Sequence, residues 1–249
     1  AALGAAADLC GRVWALARDP QGCRCVQTAL EEAPTEDIRE ALALELRGHV
    51  WEAAQDQSAN FVLQKAITVL RTEALQFIVD EFSPSVAVQA AKHKSGCRII
   101  QRLVEHCAPE QVRPIVAAIL ADFSAIARAP YGNYVVQHLT EHGPPVQRRQ
   151  VMELVGADIP RLAAEAFGAA TLCGALTRGP PAEQADLARA VVGSGLLVFL
   201  ACTRHGSGSV LRVLEVLTGQ DRAGAMTLLA ADMDTLMKSR FGRIVAQAM

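Results

Sequence analysis

Three side chains recur together four times in this sequence: two that can hydrogen bond, four residues apart, and a flat one beside the first. The sets are Cys23, Arg24 and Gln27; Asn60, Phe61 and Gln64; Cys97, Arg98 and Gln101; and Asn133, Tyr134 and Gln137. Residues four apart share a ridge of a helix, so each set puts two hydrogen-bonding edges and one plate on the same face. That shape fits a nucleobase, which is held by edge hydrogen bonds and by stacking. Cys and Asn alternate at the first place, Gln is constant at the last, and the plate alternates between Arg and an aromatic ring. Core packing requires none of this.

The elements that must carry these sets are legible around them. In Ser95-Gly-Cys-Arg-Ile-Ile-Gln-Arg102 and Tyr131-Gly-Asn-Tyr-Val-Val-Gln-His138, the residues three, four, seven and eight past the Gly form one helical stripe, apolar except at Thr140. Small residues stand at Gly22, Ala59, Gly96, Gly132, Gly168, Gly206 and Gly242, with spacings of 37, 37, 36, 36, 38 and 36. The early segments repeat as well: Gly11, Val13, Trp14, Ala17 and Asp19 return as Gly48, Val50, Trp51, Ala54 and Asp56. Such a period is that of a solenoid. Four and eight residues past the small one, the stripe continues through Val26 and Leu30, Leu63 and Ile67, Ile100 and Val104, Val136 and Thr140, Leu172 and Leu176, and Val210 and Leu214. Pro34, Pro109, Pro144 and Pro180 follow Gly22, Gly96, Gly132 and Gly168 by 12 or 13 positions, where a helix can open. Each repeat therefore reads as a short helix ending at a turn such as Asp19-Pro-Gln-Gly22, a middle helix with the recurring set, and a longer third helix. No stretch alternates with a period of two, so strands are not expected.

Composition is consistent with an ordered, core-forming chain: 249 residues, 51% apolar, formal net charge −2. That charge argues against a lysine-coated binder of any polyanion. Seven Cys, without a CxxC pair or His at zinc spacing, point to reduced thiols, and Cys23-x-Cys25 is weak as a metal site. The alanine-rich start carries Asp8 and Arg12 and has no basic leader region, and no apolar run reaches the roughly 20 residues that span a bilayer. The expected setting is cytoplasmic, with a nuclear or nucleolar one as alternative. His93, His106, His142 and His205 form no readable catalytic or metal grouping and belong in turns and at helix ends. No phosphate loop, HExxH or GxSxG occurs, so neither an enzyme nor a cofactor is expected.

Over residues 9 to 143, these phrases resemble the Pumilio-type, or PUF, repeat family. Asp19-Pro-Gln-Gly-Cys-Arg-Cys-Val-Gln27, Asp56-Gln-Ser-Ala-Asn-Phe-Val-Leu-Gln64, Gly96-Cys-Arg-Ile-Ile-Gln-Arg-Leu-Val-Glu-His-Cys107 and Tyr131-Gly-Asn-Tyr-Val-Val-Gln-His138 match its third to sixth repeats. The resemblance implies an all-α, right-handed solenoid of three-helix repeats, a crescent of the Pumilio or armadillo kind. Its middle helices read single-stranded RNA, one base per repeat, antiparallel to the protein. It further implies that Cys with Gln reads adenine and Asn with Gln reads uracil. The chain would then take 5′-UAUA-3′, with Asn133 and Gln137 at the first base, Arg24, Phe61, Arg98 and Tyr134 stacking, and protein co-regulators on the convex face of a monomer. The family usually has eight repeats, so two N-terminal ones are expected outside these six full repeats and truncated seventh.

Past residue 143 the pattern departs. The corresponding residues are Ala169, Ala170 and Cys173, then Ser207, Gly208 and Leu211, then Arg243, Ile244 and Gln247, none of them a family code word. One domain over residues 1–249 is expected, code-bearing to 143 and degenerate over 144–249. The residue after each Gln, Thr28, Lys65, Arg102 or His138, with Arg212 in the sixth repeat, is placed for phosphate. The function these features imply is binding of messenger RNA in its 3′ untranslated region to repress or destabilise it. The alternative is a PUF-like or HEAT-like scaffold for protein or structured ribosomal RNA.

Overall fold

A computed structural model describes residues 8–249; the alanine-rich start read above lies outside them up to residue 7. Among the described residues all regular structure is helical, with no strand. The described residues form two compact units, divided between Asp122 and Phe123. The first unit holds three repeats and the second holds the rest. The boundary between units thus precedes residue 143, where the recurring set ends.

In the first unit the middle helices Gly22–Glu32, Ala59–Val69 and Gly96–His106 pack side by side. In the second, Gly132–His142, Ala166–Arg178, Ser207–Val216 and Arg240–Gln247 do the same. The stripe explains this, since Val26, Leu30, Leu63, Ile67, Ile100, Val136, Leu172, Leu176 and Val210 are all fully buried. Thr140, the polar exception, is buried too, and its hydroxyl donates to the Val136 carbonyl at 2.9 Å. The small residues permit a close approach: a Cβ added at Gly132 would stand 2.3 Å from the Ile126 carbonyl oxygen.

Two capping devices hold the repeats in register. Three residues before the small one, a side chain accepts from the N–H groups that open the middle helix. Asp19 does so for Gln21 and Gly22 at 3.0 and 2.6 Å, Asp56 for Ser58 and Ala59 at 2.8 Å each, and His93 for Ser95 and Gly96 at 3.3 and 3.2 Å. Gly11 and Gly48 take positive φ of 76° and 83°, which favours glycine. There Glu45 accepts from Gly11 and Val13, and Glu81 from Gly48 and Val50, so each carboxylate ties the end of a repeat to its own start.

The expected third helices need correction. From the third repeat on they are long, as in Pro109–Ala121 and Pro145–Ala157. In the first repeat the helix is Glu36–Leu44, opened by Thr35 rather than Pro34. In the second, which lacks the proline, a 3-10 turn at Thr72–Leu75 precedes the short helix Gln76–Glu81.

Candidate nucleic-acid interface

Each recurring set sits on the first turn and a half of a middle helix, just past the turn that opens it, which a side chain caps in the first three repeats but not before Gly132, where Ala129 stands at the capping place. The plates are exposed: Phe61 is 53% and Tyr134 49% accessible, and Arg24 and Arg98 are also on the surface. The hydrogen-bonding residues are not, although the sequence puts them on the same helix face as the plates. Cys23, Asn60, Cys97, Gln101, Asn133 and Gln137 are buried, with Gln27 and Gln64 half-buried. Neighbouring helices account for it. Gly174 of the fifth repeat lies against Gln137, so closely that an added Cβ would be 2.6 Å from its Cγ.

Burial forces these amides to pair, and Asn and Cys make them pair differently. In the second repeat Asn60 Nδ2 donates to the carbonyls of Asp56 and Gln57 at 2.7 and 3.1 Å, and Gln64 Nε2 donates to Asn60 Oδ1 at 3.0 Å. The fourth repeat duplicates this: Asn133 Nδ2 donates to Ala129 and Pro130 at 3.0 and 2.9 Å, and Gln137 Nε2 to Asn133 Oδ1 at 3.0 Å. In the Cys repeats, Cys23 Sγ and Cys97 Sγ donate to the carbonyls of Pro20 and Lys94, both at 3.3 Å. Gln27 Nε2 then turns to the Cys23 carbonyl at 3.1 Å. Gln101 accepts from Arg98 Nη1 at 3.2 Å, and its buried Nε2 has no hydrogen-bond partner. Burial pushes the Cys97 thiol above its ordinary pKa, more than the Arg98 charge lowers it, so Cys97 stays protonated at neutral pH.

The cations placed for phosphate have neighbours in the protein. Lys65 pairs with Glu31 at 3.0 Å, Arg102 with Glu105, Arg212 with Glu215, and the His138 and His142 rings lie 4.4 Å apart. Cys23 and Cys25 diverge, one buried and one exposed, and all seven cysteines are free thiols. In the fifth and sixth repeats Ala169 and Ser207 are buried at the corresponding places, with Ala170, Cys173, Gly208 and Leu211 half-buried; in the seventh Arg243, Ile244 and Gln247 are exposed.

This face, with its pairs and plates, occurs in the segments where a family model matches. The Pumilio-family RNA binding repeat matches residues 12–47, 49–83, 87–120 and 123–155. The chain belongs to the Pumilio family. Among its relatives, Pumilio homology domain family member 4 of Saccharomyces cerevisiae is 34% identical over 89 residues, 36% of this chain and 10% of the relative. The Pumilio chain spans between a tenth and a quarter of the length of such curated relatives, as 10% and 24% for two of them. Solved structures extend the likeness beyond the matched segments. The crystal structure of PUF-8 in complex with PBE-RNA is 25% identical, with a TM-score of 0.87 over 96% of this chain and 71% of that one. The Puf3 RNA binding domain bound to a Cox17 RNA 3′ UTR recognition sequence shares the fold at 21% identity and TM-score 0.85, over 97% and 74%. The degenerate repeats therefore keep the Pumilio fold.

Two features of this Pumilio site escaped the sequence. The acceptor three residues before the small one is a register that could have been found, since Asp19, Asp56, His93, Thr203 and Ser239 all fill it. Arg178 could not, because nothing periodic marks its contact with Gln137 Oε1 at 2.9 Å.

Proposed function

We propose that this chain binds single-stranded RNA with base selectivity, takes about 5′-UAUA-3′ one base per repeat, and acts as a post-transcriptional regulator on messenger RNA 3′ untranslated regions in the cytoplasm. It works as a monomeric RNA-binding domain that recruits other proteins. The observation that carries the reading is the opposite state of Gln64 and Gln101. Asn60 takes one hydrogen of the Gln64 nitrogen and leaves its carbonyl oxygen as the wholly uncommitted end. That acceptor suits the N3–H of uracil. Beside Cys97, Gln101 keeps its nitrogen unpaired while Arg98 takes its oxygen. That donor suits N1 of adenine. An unpaired buried donor costs roughly 1 to 3 kcal/mol, a cost that a base at this place removes. Exposed Phe61, Arg98 and Tyr134 supply the stacking.

The RNA-bound relatives support the same class of ligand. The ion pairs of Lys65 and Arg102 with carboxylates favour the second reading, a scaffold with little pull on RNA. Binding of a UAUA-containing strand against its scrambled version separates them. The selective reader prefers the first strand, while the scaffold binds both alike or neither. Four bases recur about every 256 nucleotides of random RNA, so further contacts or a partner must add selectivity in a cell.

A further inference from the structure

Arg178 ends the middle helix of the fifth repeat, outside the positions at which that helix would read a base. Its Nη1 donates to Gln137 Oε1 at 2.9 Å, and its Nε stands 3.5 Å from Glu141 Oε2. A continuous chain of hydrogen bonds thus runs from Arg178 through Gln137 and Asn133 to the carbonyls of Ala129 and Pro130. Every nitrogen and oxygen of this amide pair has a partner in the protein. The second repeat has the same Asn and Gln without the arginine. Ten residues past the small residue, where the fifth repeat has Arg178, the repeat after Gln64 has His106.

A half-turn of a glutamine amide exchanges its donor and acceptor. At the centre of its Watson-Crick edge adenine offers the N1 acceptor beside the N6–H donor, whereas uracil offers the N3–H donor between the acceptors O2 and O4, so the two orientations favour different bases. A guanidinium has only donors. A glutamine held by it cannot reverse without facing its own NH2 to those N–H groups. Oε1 still has a second lone pair, and Nε2 a second hydrogen, with which to meet a base.

We propose that Arg178 is a positioning residue that fixes the Gln137 amide and so sharpens selection of uracil at the base taken by Asn133 and Gln137. This rests on the base-reading function proposed above. The repeat with no recognisable code thereby contributes to the reading done by its neighbour. Glu141 pairs with the guanidinium through its Nε, and the small Gly174 leaves room for the Gln137 side chain.

The test uses the whole chain and labelled strands carrying UAUA with either the first or the third base changed to adenine. Arg178→Ala should lower the preference for uracil at the first base by roughly tenfold, the scale of one hydrogen bond to a charged group. Preference at the third base, taken by Asn60 and Gln64, should not change. Arg178→Lys keeps the charge but not the planar fork. It should also lose selectivity at the first base while total affinity stays near that of the wild type. The inference is overturned if neither variant alters first-base preference, if both bases lose preference equally, or if Lys restores the wild-type ratio, which would make the effect one of charge rather than of the guanidinium's planar geometry. It also fails if the wild type selects uracil at the third base and not the first. A wild type with no preference at either base instead removes the base-reading function on which the inference stands.

Discussion

The third and fifth repeats are built on one packing plan and present different faces. A Cβ at Gly96 would meet the Ala90 carbonyl oxygen at 2.8 Å, and one at Gly168 would meet that of Leu162 at 2.5 Å. Ile100 and Leu172 are both fully buried four residues further on. Yet the third repeat carries Cys97, Arg98 and Gln101 where the fifth carries Ala169, Ala170 and Cys173. The close turn and the stripe are enough to place a middle helix, and they leave its other face open to change. Continuity of fold along a solenoid is therefore no measure of continuity of function.

The comparison breaks first if the two stripes are unequal. Ile100→Ala and Leu172→Ala should each lower stability by roughly 2 to 5 kcal/mol, the range for emptying a buried aliphatic site. Urea denaturation measures it, and a negligible cost in the fifth repeat would mean that its helix is not packed like that of the third. The next effect is confined to the reading face. Tyr134→Ala and Arg98→Ala should each weaken RNA binding by roughly 1 to 3 kcal/mol through lost stacking. Both side chains are exposed, so melts followed by circular dichroism should move far less. A large shift in melting with unchanged binding would make them packing residues instead. The smallest effect belongs to the degenerate repeats: replacing the two nucleotides 5′ of UAUA should change affinity by less than about 1 kcal/mol, below the usual cost of a mismatch at a read position. A titration that demanded UG there would show that residues other than Ala169, Ala170, Cys173, Ser207, Gly208 and Leu211 do the reading.

The repeat architecture was open to sequence reading because its causes are local and periodic. A small residue every 36 to 38 positions, an apolar stripe after it and a proline beyond it each fix one boundary. The third helices of the first two repeats are shorter than the sequence implies where that punctuation weakens, at Thr35 and at Thr72. The identities of the site residues were equally plain, but their burial was not. A helical wheel knows only its own helix, whereas Gln137 is covered by Gly174 and Arg178 from the next repeat. Glu45 and Glu81 escaped for the same reason, since each closes onto a glycine more than thirty residues before it.

The central claim is that Cys97 and Gln101 read one base through the donor that Gln101 leaves unpaired. Converting them with Cys97→Ser and Gln101→Glu replaces that donor by a carboxylate, which can only accept. Arg98, now 3.2 Å from the Gln101 oxygen, is placed to keep the new carboxylate ionised. Guanine offers it N1–H and N2–H donors, while adenine offers the bare N1 acceptor. Competition between 5′-UAUA-3′ and 5′-UGUA-3′ strands with identical flanks is the direct measurement. The wild type should favour the first strand and the double variant the second, with a discrimination of roughly 1 to 3 kcal/mol, the scale of one well-paired base contact. If the folded, RNA-binding double variant kept the wild-type order of preference, base reading by Cys97 and Gln101 would be contradicted.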